Sequence, residues 1–186
     1  MTAIAPQSVG IINEISARYS EGPLSEFEIA MYTKKAQAMM DNAPESAHCA
    51  LGILACISGD AQKSRKHHEC SLNISRSSVY LFNYGASLDI LGFHDEAMDI
   101  LLEAIDKDHL NTRHLNKTIK LAFRLDNRRL GELLMLWKKL NKGEEHPVEK
   151  EIASRDISRY CMESSEPSLA QVWGNCEEDA AWDYLQ

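Results

Sequence analysis

Glycine recurs at a fixed interval in this chain: Gly52 and Gly59 are followed 33 residues later by Gly85 and Gly92. A recurrence of that length constrains the fold more than composition does. It points to one supersecondary unit used repeatedly, each copy unable to bury its apolar face without a neighbour. The best-defined copy spans residues 78–110 and carries Leu81, Asn83, Tyr84, Gly85, Leu88, Gly92, Ala97, Leu101 and Ala104. Its apolar positions follow helical spacing on either side of Gly92, which implies two helices joined by a turn. The small Gly85 and Ala97 let the backbones approach, while Leu81, Tyr84, Leu88, Leu101 and Ala104 fill the space between them. Moving this pattern back by 33 residues places His48 on Leu81, Leu51 on Tyr84, Ala55 on Leu88, Ser64 on Ala97, His68 on Leu101 and Ser71 on Ala104. Moving it forward by 34 places Leu115, Ala122, Gly131 and Met135 on Leu81, Leu88, Ala97 and Leu101, with Asp126-Asn127 as the turn.

Helical signals continue outside the repeats. Ile12, Ile15 and Tyr19 define an amphipathic segment from about Val9 that stops at Ser20-Glu21-Gly22-Pro23. Ser25 then reads as an N-cap, with Glu28 three residues on completing a capping box, and this second helix runs to about Asp41 before Asn42-Ala43-Pro44 breaks it. Pro147 opens a last helix to about Met162 that is expected to cap the final repeat. No segment alternates as a strand. The expected architecture is therefore all-α: one domain over residues 1–162 with about nine helices, repeat pairs near 44–77, 78–110 and 111–141, and a tail from 163 to 186. At 186 residues and 44% hydrophobic content, the chain can bury a substantial core.

Residues 44–141 resemble a tetratricopeptide array, most closely in the middle unit. The resemblance implies antiparallel helix pairs stacked as a short right-handed solenoid, with the first helix of each pair lining a concave groove that binds other polypeptides. It would place Ser46, Cys49, Ile53 and Ile57, then Val79, Phe82, Ala86, Asp89 and Ile90, then Arg113, Asn116, Lys120 and Arg124 along that groove. Such a groove is apolar at one end and basic at the other, and suits a ligand combining aromatic anchors with carboxylates.

Charge is concentrated at the C-terminal end. From Met162 onward there is no Lys or Arg, while Glu163, Glu166, Glu177, Glu178, Asp179 and Asp183 supply six of the eight net negative charges. Acidic residues interleaved with Trp173, Trp182, Tyr184 and Leu185 point to a basic protein surface as partner and away from nucleic acid. The stretch Ser168 to Leu185 resembles the Trp, Asn, acidic-cluster, aromatic and Leu ending of some small bacterial antitoxins. That resemblance implies a tail that covers a basic toxin, with Trp173, Trp182, Tyr184 and Leu185 as anchors and Glu177, Glu178 and Asp179 facing cations.

Other chemistries find weaker support. His67, His68 and Cys70 lie close in sequence after Cys49 and Cys56, but their spacing does not match common zinc fingers, so the cysteines read as buried apolar residues and the histidines as surface or groove residues. Five cysteines, an odd number, suit reduced thiols. Cys70 and His67 lie one helical turn apart, yet no orienting group or oxyanion feature accompanies them. No Gly-rich phosphate loop is present. Lys63, Arg65, Lys66 and Lys138, Lys139, Lys142 fit solvated helix faces, whereas Arg128 and Arg129 at a helix start oppose the helix dipole and need a partner. No apolar run has the length of a membrane span and no signal peptide opens the chain, so a cytoplasmic location is expected. Together these readings lead to a non-enzymatic protein-interaction module without cofactor or metal. Its partner is a protein or peptide, either a basic toxin or an extended client segment, and homodimerisation is compatible with it. The alternative is an adaptor resembling the tetratricopeptide chaperones of bacterial secretion systems.

Overall fold

The computed structural model describes residues 10–158, and all regular structure among them is helical. Eight helices follow in order: α1 (Gly10–Ser20), α2 (Glu26–Ala38), α3 (Pro44–Ile57), α4 (Ala61–Ile74), α5 (Ser78–Ile90), α6 (His94–Lys107), α7 (Thr112–Arg124) and α8 (Leu130–Leu140). A further helix, α9, covers residues 147–158. The expected tail with Trp173, Glu177, Glu178, Asp179, Trp182, Tyr184 and Leu185 lies outside the described residues, as do Cys161, Cys176 and the end of the capping helix. Two compact units divide after Gly143. In the second, the Val148 N–H donates to His146 Nδ1 at 3.2 Å and Glu149 accepts from the His146 N–H at 2.9 Å, which organises the first turn of α9.

In the first unit, consecutive helices pack as neighbours: α3 with α4, α5 with α6, and α7 with α8. Contacts between α3 and α5, α4 and α5, and α6 and α7 link one pair to the next, while α1 and α2 pack on α3. The turns inside the three pairs share one hydrogen-bond pattern. Asp60 N–H reaches Ala55 O at 2.9 Å, Phe93 N–H reaches Leu88 O at 2.9 Å and Asn127 N–H reaches Ala122 O at 2.8 Å. Each closes a helix whose second following residue turns left-handed, at Gly59 (φ 76°), Gly92 (φ 87°) and Asp126 (φ 50°). Two repeats meet that requirement with glycine, and the third meets it with an acidic residue that tolerates the conformation.

Local capping follows the sequence signals. The Ser25 side chain accepts from the Glu28 N–H and Glu28 accepts from the Ser25 N–H, so the expected capping box is present. Asp60 and Asn111 cap α4 and α7 by accepting from Lys63 N–H and His114 N–H. Pro44 occupies the first turn of α3, where its missing donor costs nothing.

The close approach inside each pair is visible at the glycines. A Cβ on Gly85 would sit 2.7 Å from Leu101 Cγ, and a Cβ on Gly52 would sit 2.7 Å from His68 Cδ2. His68 thus fills the place that Leu101 fills one repeat later. It is 1% exposed, which corrects its expected position on the surface or in the groove: the glycine opposite leaves a slot that only a buried side chain can occupy. The histidine in that slot donates or accepts one hydrogen bond, between Nε2 and Ser87 Oγ at 2.9 Å.

The third pair departs from its expected register. Leu115 and Ala122 on α7 are fully buried, as their spacing predicts, but Met135 is 67% exposed and nothing lies within 4 Å of a Cβ on Gly131. Leu133 is buried instead. The connection from Leu125 to Arg129 is two residues longer than that from Leu91 to Phe93, so α8 begins later and turns a different face to α7. Arg129, expected to need a partner, donates to Glu132 at 3.1 Å and to Asp106 at 3.3 Å.

Candidate functional site

The residues expected along the groove separate into three groups. Ile53, Ile57, Phe82, Ala86, Ile90 and Arg113 come together around a cleft of about 200 Å³. Ser46, Cys49 and Asp89 are buried in contacts between helices: Ser46 Oγ and Tyr80 Oη lie 2.7 Å apart, and Cys49 has no exposed surface. Lys120 and Arg124 are exposed on α7, Asn116 and Val79 half-buried.

Helix α1 contributes the wall that the sequence did not reveal. Ile15, Ser16 and Tyr19 line the same cleft, while Ile11, Ile12 and Ile15 are buried. The Ile12–Ile15–Tyr19 spacing marks an apolar helix face, but nothing in it says which surface that face covers. One end of the expected groove is therefore walled by the chain's own first helix.

Aromatic stacking sets the other wall. Phe82 stacks on His114 with ring centres 4.1 Å apart and planes 12° from parallel, and the Arg113 guanidinium lies 5.9 Å from the Phe82 ring. Burial pushes the His114 pKa down to about 4, against an opposing pull from Asp108, so at neutral pH the ring stacks as a neutral imidazole. The cleft thereby has an apolar floor and one guanidinium at its rim.

At the expected basic end, Asp89 gathers the cations. Its carboxylate, 7% exposed as a residue, accepts from Lys117 and Arg124 and lies 3.0 Å from His94 Nδ1. Burial acts to raise its pKa, but the hydrogen bonds and charges of Lys117 and Arg124 outweigh burial and keep the carboxylate ionised. Arg124 is consequently engaged in holding α7 to α5. The other two expected cations lie elsewhere: Arg113 stands over the Phe82 ring and Lys120 is exposed on α7.

Two groupings invite a catalytic reading. Ser87 lines the cleft and is backed by His68 Nε2 at 2.9 Å. Burial, and secondarily the neighbouring His67, pushes His68 down to about pKa 3, and its buried Nδ1 has no hydrogen-bond partner. A base that weak takes no proton from serine at neutral pH, and nothing orients the ring as a triad carboxylate would. In the second grouping, Cys70 with His67, the imidazole Nδ1 meets another imidazole, His48 Nδ1, at 3.1 Å. Cys49 and Cys56 are buried free thiols whose pKa values burial raises.

The cationic face of α4 is largely neutralised. Arg65 makes paired bonds to Glu96 at 2.6 and 2.8 Å and lies 4.2 Å from the Phe93 ring centre, and Lys63 pairs with Asp60 at 2.9 Å. Among the described residues no helix is long and apolar enough to cross a membrane. No protein-family model and no curated protein sequence matches this chain.

Proposed function

We propose that this chain is a non-enzymatic interaction protein whose helix pairs stack as a short, right-handed, tetratricopeptide-like solenoid. Its ligand is an extended polypeptide segment that inserts an apolar side chain into the cleft between α1, α3, α5 and α7 and places a carboxylate beside Arg113. The observation that carries this reading is the cleft itself, with an apolar floor of Ile53, Ile57, Phe82 and Ile90 and Arg113 at its edge. A volume of about 200 Å³ suits one or two side chains and is small for a drug-sized ligand or cofactor. The matching turns after Ala55, Leu88 and Ala122 support the repeat reading, since one backbone solution recurs at the sequence period.

Panning a random peptide library on the purified chain tests the proposal. Selected peptides should share an apolar residue flanked by Asp or Glu. Ala86→Trp, which fills the cleft, and Arg113→Glu, which reverses its rim charge, should each weaken binding at least tenfold. Peptides without that pattern, or binding indifferent to both substitutions, refute the groove. A second reading places the partner on the acidic aromatic tail, favoured by its six carboxylates around two tryptophans. Removing residues 163–186 distinguishes them: a partner lost with the tail belongs to the antitoxin-like reading, and one retained belongs to the groove and its chaperone or adaptor variant.

A further inference from the structure

The α3–α4 pair holds two imidazoles where the next repeat holds hydrocarbon. Moving His48 and His67 forward by 33 residues reaches Leu81 on α5 and Ile100 on α6, both apolar. In the earlier pair, His48 Nδ1 and His67 Nδ1 lie 3.1 Å apart, with ring centres at 5.3 Å and planes inclined by 35°. Both rings are half-buried, and His67 also faces a hollow of about 410 Å³ bordered by Thr33, Gln37, Met40 and Lys63. The third histidine of the region, His68, points away into the core toward Ser87.

We propose that His48 and His67 form a bidentate site for a borderline transition-metal ion of the zinc, nickel or copper(II) class. The argument is geometric. Nitrogen ligands sit about 2.0–2.1 Å from such an ion, so two on adjacent corners of a tetrahedron are separated by roughly 3.3 Å. The two Nδ1 atoms already stand near that distance, on separate helices whose backbones are fixed by the Gly52–His68 contact. Among the described residues no group of three or more His, Cys, Asp or Glu side chains converges on one point, so water completes the shell.

The proton balance is simple. One ring of the free pair carries its proton on Nδ1 and donates to the other. Binding moves that proton through solvent to Nε2 of the same ring, and the ion takes both Nδ1 lone pairs in place of two of its waters. Counted from one proton per ring, the exchange releases none, and the bound ion clips α3 to α4.

The test uses the full 186-residue chain at pH 7.4 with zinc, nickel and copper(II) chlorides. Calorimetry should show one equivalent bound, and the copper(II) form should show hyperfine splitting from two imidazole nitrogens in its paramagnetic resonance spectrum. His48→Gln and His67→Gln should each weaken binding at least tenfold and abolish the accompanying rise in Tm. Cys70→Ser and His109→Gln should leave affinity and stoichiometry unchanged. Binding that survives both glutamine substitutions, a spectrum without two nitrogen ligands, or uptake short of one equivalent at millimolar metal overturns the site. The spectrum of the unaltered chain decides the matter even if a variant fails to fold.

Discussion

The Gly52–His68 seam and the Gly85–Leu101 seam solve the same packing problem with opposite chemistry. In each, a glycine on the first helix allows a close approach and a fully buried side chain from the second helix occupies the slot. Leu101 fills it with hydrocarbon. His68 fills it with a ring that spends one nitrogen on Ser87, reaching into the next repeat, and leaves the other without a partner. Geometry is set by the glycine, whereas the polarity of the filling is free to vary if its hydrogen bonds are met. The polar seam gains a specific link between α4 and α5 and retains a cost that the apolar seam does not have.

The largest expected effect separates the seams by simple truncation. Leu101→Ala should lower unfolding stability by about 3 kcal/mol in urea titration, because a buried leucine leaves a cavity that its surroundings only partly close. His68→Ala should cost less, since it also removes the unpartnered Nδ1. Equal losses would mean that the imidazole is held by more than the Ser87 contact.

A pH titration sharpens the contrast at intermediate magnitude. His68 is held neutral by burial, with its pKa lowered to about 3, whereas the unfolded chain protonates its histidines near the ordinary value of 6.5. Between those values the unfolded state binds the extra proton, so the contribution is fully present above about pH 6.5 and is lost as the pH falls toward 3. His114, lowered to about 4, acts in the same direction. The double substitution His68→Leu/Ser87→Ala imitates the apolar seam. It should change stability by no more than about 1 kcal/mol at pH 7, yet unfold less readily than the parent at pH 5. An unchanged slope of stability against pH would remove His68 from this account.

The smallest expected effect concerns the third turn. Asp126 adopts the positive φ that glycine adopts at 59 and 92. Asp126→Gly should therefore be neutral or stabilise by about 0.5 kcal/mol, read as a small rise in Tm. A clear loss would show that the Asp126 side chain has a role beyond tolerating the turn.

The helices were legible because their signals are local. Ser25 and Glu28 cap α2 through adjacent backbone groups, and Gly92 turns the chain through its own φ. The 33-residue shift aligned His68 with Leu101, but its burial opposite Gly52 was not expected, because a polar ring reads as a surface or groove residue until its Ser87 partner is seen. The repeat failed on α8, where two additional residues in a connection rotated the helix and exchanged Met135 for Leu133. The candidate site was only half legible. Ile53, Ile57, Phe82, Ala86, Ile90 and Arg113 follow from the repeat, but the wall supplied by α1 depends on a docking event that no local pattern encodes.

Sequence alone determined the all-α class, the turns and the faces that must be buried, since period, capping chemistry and backbone freedom act over a few residues. Tertiary structure decided which buried face meets which. It turned Asp89 from an expected groove residue into the buried partner of Lys117 and Arg124, walled the cleft with Ile15 and Tyr19, and brought His48 Nδ1 to 3.1 Å from His67 Nδ1. Those outcomes depend on distances between side chains far apart in the chain, which spacing along one helix does not specify.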